Sequence, residues 1–247
     1  MKHNYNQELD SFIAEEKAAT HLINSVGKLL YEKGIELVLF RRHLIDTSVS
    51  DILRLHQYAK NFVKKPINIF DSSKLANILT TLNLGASKID IGKLTYEWLE
   101  ENNQYTNELD FLQKKIGFLK TSPEKRQIPK DVVLYGFGRI GRLCARELIK
   151  QAGKGEQLRL KGVILRKIDA ESLKKRCALL RQDSVHGSFS SSIYIDESEL
   201  FIIINGQKIH FFDEKTKNNL QEYGINDALL IDNTGVFKDY NGLKQHL

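Results

Sequence analysis

The sequence predicts an α/β protein with a helical first half and a second half built on a mainly parallel, doubly wound sheet. Three observations support this prediction. Apolar residues recur at helical spacing through the first half, β-prone runs are concentrated in the second half, and a Gly-x-Gly-x-x-Gly turn stands near the midpoint of the 247-residue chain. A chain of this length can hold two domains, each with an apolar core.

The first half, residues 1–122, is predicted to be an all-α extension without repeats. Asp10 or Ser11 can cap a first helix whose apolar face continues to Gly34, and a short β-prone run, Ile35–Phe40, follows. A polar linker is predicted over residues 123–130. Further helices are predicted after Asp46–Ser48 up to Pro66, after Asp71–Ser73 up to Gly85, over Ile91–Glu101 and over Asn107–Leu119.

A strand, a glycine turn and a helix begin the second half, residues 131–247. The apolar run Val132–Tyr135 predicts a buried strand, and Arg139–Gln151 predicts an amphipathic helix. Leu158–Leu165 follows as a second strand, which completes a βαβ unit of ordinary size. Glycines also occur in ordinary turns, but in this context the motif predicts a Rossmann domain that binds a dinucleotide.

Each glycine of the turn has a predicted role at the cofactor. Gly136 permits the tight turn, Gly138 lets the backbone approach a pyrophosphate, and Gly141 lets the helix and the strand pack closely. Free N–H groups at the helix start, together with the helix dipole, then favour the phosphates.

The end of the second strand bears on the choice of cofactor. NAD-binding domains place an acidic residue there to bind the adenine-ribose hydroxyls, whereas this sequence has Arg166 and Lys167. One interpretation is that these cations accept a 2′-phosphate, so that NADP serves as well as NAD. The other is that they only face solvent and that Asp169 turns toward the ribose.

The rest of the second half is predicted to be rich in strands. Asn205-Gly206 is a two-residue hairpin signal, and the turn Asp232–Gly235 follows a short strand at the sheet edge where ligands bind. The other predicted elements are a helix over Ala170–Gln182 and strands over Ser191–Ile195, Leu200–Ile204, Lys208–Phe212 and Ala228–Ile231.

Composition argues against several classes of protein. The formal net charge is +6, but the basic residues are scattered and no aromatic-interleaved basic run is present, so we expect no nucleic-acid partner. No apolar run has the length of a signal-peptide core or a membrane span, so we expect a cytoplasmic protein without a membrane partner. Cys144 and Cys177 fit neither a disulfide framework nor a metal-ligand spacing, and no metal site is predicted.

Four motifs, taken in order, resemble the first part of glyceraldehyde-3-phosphate dehydrogenase. They are Gly136–Arg142, Asp183–Gly187, the hairpin Ile204–Gly206 and Asn233–Phe237. The junction at Pro129–Gly136 extends the resemblance to the whole chain, which resembles a long bacterial form of this dehydrogenase with a helical N-terminal extension. We interpret the chain as an N-terminal part of such a protein.

The resemblance implies NAD or NADP as the cofactor and homo-oligomerisation as a tetramer. It implies that backbone groups around Arg139 and Ile140 face the pyrophosphate, and that Thr234 and Gly235 line the adenosine or nicotinamide side of the pocket. The Asp183–Gly187 segment would have a structural role near subunit contacts, so its histidine is not the catalytic one.

The resemblance also implies a reaction whose catalytic residues this chain lacks. In the family a cysteine within Ser-Cys-Thr-Thr-Asn-Cys attacks a small phosphorylated aldehyde, and hydride transfer leaves a thioester that phosphate cleaves. No such segment occurs here, so we assign no catalytic residue and expect the chain alone to be inactive. The complete protein would oxidise glyceraldehyde 3-phosphate or erythrose 4-phosphate to an acyl phosphate, or run the reverse reaction, in glycolysis or gluconeogenesis.

An alternative from a different class is a non-catalytic nucleotide-binding or interaction protein. In that case the helical half would be the binding surface, and the half-domain would be a remnant or a sensor.

Overall fold

The computed structural model describes residues 5–120, 128–215, 217–236 and 239–244. The chain separates into two compact units, Met1–Gln127 and Ile128–Leu247. Residues 123–127 of the predicted linker, and Phe237 of the last motif, lie outside the described residues.

The first unit is mainly helical, as predicted. Lys33 at the end of the longest helix donates from Nζ to the carbonyl of Leu82 at 2.5 Å, just beyond the third helix. Trp98 and Phe111 pack in the core with ring centroids 5.4 Å apart. The helices are α1 (Tyr5–Lys33), α2 (Val49–Tyr58), which continues as a π-helical turn over Ala59–Val63, α3 (Ile69–Thr81), α4 (Ile91–Glu101) and α5 (Glu108–Ile116).

Two of the predicted helix starts are wrong. Asp10 and Ser11 lie inside α1, which extends back to Tyr5. The N-cap of α3 is Asn68, whose side chain accepts a hydrogen bond from the Asp71 amide at 2.8 Å. Aspartate and serine are also favourable within the first turn of a helix, so the type of residue alone does not place the cap.

The first unit also contains a three-stranded sheet, which corrects the prediction that it is all-α. The central strand, β1 (Ile35–Leu39), is buried throughout and corresponds to the predicted β-prone run. It pairs antiparallel with β2 (Arg42–His43) and parallel with β3 (Ser87–Asp90). The two outer strands are too short to show periodicity in the sequence. Pairing with β1, and not a pattern of their own, makes them strands.

The second unit contains a six-stranded, mainly parallel sheet. Its strands are β4 (Lys130–Tyr135), β5 (Leu158–Leu165), β8 (Ile193–Asp196), β9 (Phe201–Ile204), β10 (Gln207–Asp213) and β11 (Leu229–Asp232). They lie in the order β11-β4-β5-β10-β9-β8. The first four of these strands are parallel, and the last two add an antiparallel edge through the predicted Asn205-Gly206 hairpin. This topology confirms the predicted Rossmann-like domain.

Helices cover one face of this sheet. They are α6 (Arg139–Gln151) and α7 (Ala170–Arg181). A short helix, α8 (Tyr240–Lys244), lies near the end of the sequence. A two-residue hairpin, β6 (Gln182–Asp183) and β7 (Gly187–Ser188), follows α7.

Alternate side chains of β4 pack on opposite faces of the sheet. Val132 and Leu134 belong to the larger apolar cluster with residues of α6 and α7. Val133 and Tyr135 belong to a smaller cluster on the other face, which includes Phe212. This alternation fixes the direction of Tyr135, the last residue of the strand before the glycine turn.

Candidate functional site

The glycine turn lies where the strand order of the sheet reverses. Strand β4 has β5 on one side and β11 on the other, all three parallel. The Gly136 amide donates to the Ile164 carbonyl of β5 at 2.9 Å, and the Asn233 amide, after β11, donates to the Tyr135 carbonyl at 2.7 Å. Open α/β sheets bind ligands at this kind of crevice, beyond the carboxyl ends of the strands.

The structure explains why glycine occupies three positions of the turn. Gly136 has φ +91°, and a Cβ there would lie 3.1 Å from Thr234 Cγ2. At Gly141 a Cβ would lie only 2.4 Å from the Gly136 carbonyl oxygen. At Gly138 no heavy atom lies within 4 Å of such a Cβ, so the space beside this backbone is open. These positions have the tight turn, close packing and ligand access that the motif requires.

The start of α6 differs from that of other helices in the chain. Helices α2, α3, α4, α5 and α7 each begin at a residue whose side chain accepts a hydrogen bond from the first turn. The N-cap of α6 is Gly138, which provides no such side chain. The first hydrogen bond of the helix runs from the Arg142 amide to the Gly138 carbonyl, so the amides of Arg139, Ile140 and Gly141 have no acceptor within the helix. They are therefore available to an anion at the positive end of the helix dipole.

The predicted cofactor residues fall in two groups. Gly136, Gly138, Arg139, Ile140, Gly141 and Thr234 lie together around the β4 turn, with Gly235 beside Thr234. Thr234 is held by Asp232, whose carboxylate accepts bonds from its amide and its hydroxyl, both at 2.7 Å. Arg166, the other predicted cofactor residue, is exposed just beyond the end of the neighbouring strand β5.

Asp169 is already engaged in the structure. Its carboxylate caps α7 and accepts a hydrogen bond from the Ser172 amide at 2.8 Å. Turning this side chain toward a ribose would remove the cap, at a cost of about 1 kcal/mol.

The Asp183–Gly187 segment folds around a buried carboxylate. Asp183 Oδ1 accepts the amides of Val185 and His186, both at 3.0 Å, and Oδ2 lies 3.5 Å from Arg142 Nη2 of α6. The two amides, followed by the His186 side chain and the Arg139 guanidinium, hold the pKa of Asp183 well below its usual range. The segment is thereby fixed beside the start of α6.

Arg146 makes a second connection between α6 and this segment, which sequence reasoning missed. Its buried guanidinium donates to the Leu180 carbonyl at 2.9 Å and to the Gly187 carbonyl at 3.1 Å. Both acceptors are backbone atoms, so no sequence pattern reveals the contact.

Neither cysteine has the surroundings of a nucleophile. Burial raises the pKa of the Cys144 thiol, and it raises that of Cys177 to about 11, so both thiols stay protonated at neutral pH. Among the described residues, no cluster of three histidine, cysteine or acidic side chains could hold a metal ion. The described helices include none that is long and apolar enough to span a membrane.

A βαβ unit with an uncapped, glycine-initiated helix at the switch point of a parallel sheet defines a dinucleotide-binding domain of the Rossmann type. Comparison with known proteins narrows this class. Residues 130–240 match the family model "Glyceraldehyde 3-phosphate dehydrogenase, NAD binding domain". These residues belong to the glyceraldehyde-3-phosphate dehydrogenase family, and the resemblance found in the sequence is confirmed.

Individual relatives agree with this assignment. The chain is 36% identical over 232 residues to a glyceraldehyde-3-phosphate dehydrogenase-like protein of Pseudomonas aeruginosa, a match that covers 92% of the chain and 50% of that protein. Over 116 residues it is 32% identical to glyceraldehyde-3-phosphate dehydrogenase of Bacteroides fragilis and to glyceraldehyde-3-phosphate dehydrogenase 2 of Saccharomyces cerevisiae. These two matches cover 47% of the chain and 32% of each relative.

The extent of these matches separates the two units. Among these three, the Pseudomonas match covers most of both units, whereas the other two matches are 116 residues long. The chain spans about half the length of the Pseudomonas protein and about a third of the other two.

The site fits the cofactor that the family binds. The domain is an NAD-binding domain of a dehydrogenase family. The open space beside Gly138 and the free amides of Arg139 and Ile140 suit a pyrophosphate that approaches the backbone closely.

Proposed function

We propose that this chain is the N-terminal, cofactor-binding part of an NAD(P)-dependent glyceraldehyde-3-phosphate dehydrogenase. The complete protein would oxidise a phosphorylated aldehyde to an acyl phosphate, or run the reverse, through a cysteine thioester outside residues 1–247. The observation that carries this proposal is the uncapped start of α6 beside the open backbone of Gly138. The match of residues 130–240 supports the choice of family.

In this proposal the residues of the chain bind and orient the cofactor. The amides of Arg139 and Ile140 would hold the pyrophosphate, and Gly138 would leave room for it. Thr234, fixed by Asp232, and Gly235 would line the pocket on the other side of the switch point. The bound nicotinamide would supply the hydride acceptor for an aldehyde carried by the rest of the protein.

Substituting Gly138 by alanine tests the cofactor site. The new methyl group would enter open space, so the fold should persist, but it would occupy the approach of the pyrophosphate. We expect the Kd for NAD, measured by isothermal titration calorimetry, to rise at least about tenfold, which corresponds to about 1.4 kcal/mol.

Gly117→Ala is the matched control, because Gly117 also has a negative φ, −60°, and no heavy atom within 4 Å of the position a Cβ would take. The control should bind NAD as the unchanged chain does. Equal affinity in both variants, or no NAD binding by the unchanged chain, would contradict the proposed site.

We also propose that the chain accepts NADP. Arg166 and Lys167 are both exposed at the end of β5, where a 2′-phosphate could meet them, and Asp169 is engaged as a helix cap. We expect the Kd values for NAD and NADP to lie within about tenfold of each other. A much tighter affinity for NAD would contradict this part of the proposal and leave the dehydrogenase assignment in place.

A further inference from the structure

The end of β5 lacks the carboxylate that usually binds the adenine ribose. Arg166 stands at that position, and the nearest acidic residue along the chain, Asp169, caps α7. A NAD site without any acceptor for the ribose hydroxyls would leave them to water alone.

A carboxylate is present at the same edge of the sheet on the next strand. β10 runs parallel to β5, with Asp213 paired to Leu165, so Glu214 stands beside Arg166, one residue beyond each strand. Glu214 is exposed, so its carboxylate is accessible to a ligand at this edge.

Tyr135 fixes the position of Glu214. Its hydroxyl donates to Glu214 Oε1 at 2.5 Å. Tyr135 ends β4, which lies on the far side of β5 from β10, so its side chain crosses the end of β5 to reach the glutamate. The bond therefore places a carboxylate across the strand end where the ribose acceptor is needed.

The Tyr135 side chain is buried, and its hydroxyl remains a hydrogen-bond donor at neutral pH. Only 4% of the residue is exposed, and it packs against Ile164 and Phe212 on the face of the sheet away from α6. Burial and the bond to Glu214 raise its pKa to about 12, so the phenol stays protonated at neutral pH. The Asp232 carboxylate also raises this pKa, whereas the Arg166 guanidinium lowers it, so both charges act on the same phenol.

We propose that Glu214, held by the positioning residue Tyr135, accepts hydrogen bonds from the adenine-ribose hydroxyls, and that Glu214 and Arg166 together set the preference between NAD and NADP. This inference rests on the proposed cofactor-binding function. Glu214 favours free ribose hydroxyls and repels a 2′-phosphate, while Arg166 attracts it, so the two side chains act on the NAD/NADP ratio in opposite directions.

The test measures the Kd values of NAD and NADP by isothermal titration calorimetry, at one ionic strength, for the unchanged 247-residue chain and its variants. In Glu214→Gln we expect NAD to bind about fivefold to tenfold more weakly and NADP to bind equally well or more tightly. Tyr135→Phe should shift the ratio in the same direction by a smaller factor. Arg166→Gln should shift it toward NAD.

Glu222→Gln is the matched control, because Glu222 is an exposed glutamate of the same unit within the 3₁₀-helical segment Lys217–Tyr223. It should leave both Kd values unchanged. A general loss of fold in any variant would weaken the binding of both cofactors together, whereas the proposal requires a change in the ratio of their Kd values.

Two outcomes would overturn the inference. An unchanged ratio in Glu214→Gln, with the unchanged chain still binding NAD, would show that Glu214 does not contact the ribose, while the proposed function would stand. If the unchanged chain binds neither dinucleotide, the proposed function fails and this inference fails with it.

Discussion

Replacing Gly141 by alanine should destabilise the second unit, although alanine is normally the better helix residue. A Cβ at this position would lie 2.4 Å from the carbonyl oxygen of Gly136 and 3.2 Å from its carbon. Because the obstacle is backbone, it cannot move aside by changing a rotamer. Gly136 is itself held by the bond from its amide to the Ile164 carbonyl, so the helix and the turn must separate.

The magnitude follows from two opposing contributions. Overpacking of this kind costs about 1–3 kcal/mol, and contact with fixed backbone belongs at the upper end. Replacing a helical glycine by alanine returns up to about 1 kcal/mol. We therefore expect Gly141→Ala to lower the free energy of unfolding by about 1–2 kcal/mol, which is a fall in Tm of roughly 5 °C for a domain of this size.

Gly27→Ala is the matched control in the first unit. Gly27 lies inside α1, and its Cβ would contact only Tyr31 Cδ2, at an ordinary 4.0 Å. The same substitution should here raise the stability by up to about 1 kcal/mol.

Circular dichroism at 222 nm, a standard probe of helix content, would follow thermal unfolding of both units. Trp98, the single tryptophan of the chain, reports by fluorescence on the first unit alone. We expect Gly141→Ala to lower the Tm of the second unit, whose unfolding Trp98 fluorescence does not report. We expect Gly27→Ala to raise the Tm of the first unit, whose unfolding it does report. An unchanged or higher Tm in Gly141→Ala would refute the reasoning about close packing.

Two further predictions concern buried polar groups. Arg146→Ala removes the guanidinium that donates to the buried Leu180 and the half-buried Gly187 carbonyls, and should cost about 2–4 kcal/mol in urea unfolding. Arg146→Lys should recover only part of this, and a loss in Arg146→Ala below about 0.5 kcal/mol would contradict the assigned contacts. In the first unit, burial lowers the pKa of His56 in the folded state, so below its unfolded pKa of about 6.5 the unfolded state binds more protons. The stabilisation from neutral His56 is therefore complete above about pH 6.5 and decreases as the pH falls through that value, which Trp98 fluorescence can follow. His56→Gln should reduce the loss of stability between about pH 7.5 and 5.5, and an identical pH dependence in both proteins would contradict the prediction.

Local sequence was sufficient for the parts of the fold whose signal lies in a few consecutive residues. The apolar run of β4, the amphipathic pattern of α6 and the Asn205-Gly206 turn are each found where they were predicted. The glycine motif could be interpreted because Gly136 and Gly141 each meet a backbone constraint that is nearly independent of the surrounding sequence.

The sequence did not reveal elements that exist only through their partners. β2 has two residues and β3 has four, and both depend on pairing with β1. The start of α3 was misplaced because Asn68 and Asp71 are both residue types that can cap a helix, and the residue type alone does not show which of them is the cap.

By itself, then, the sequence determined the main strands and helices of the second half, the glycine turn and the family to which residues 130–240 belong. Only the tertiary structure decided which distant side chains meet at the carboxyl edge of the sheet. Tyr135 and Glu214 are 79 positions apart, and they meet because β4, β5 and β10 are neighbouring parallel strands that end at the same edge. Periodicity describes which face a residue takes within one element, whereas contact between elements depends on strand order and register, which long-range packing sets.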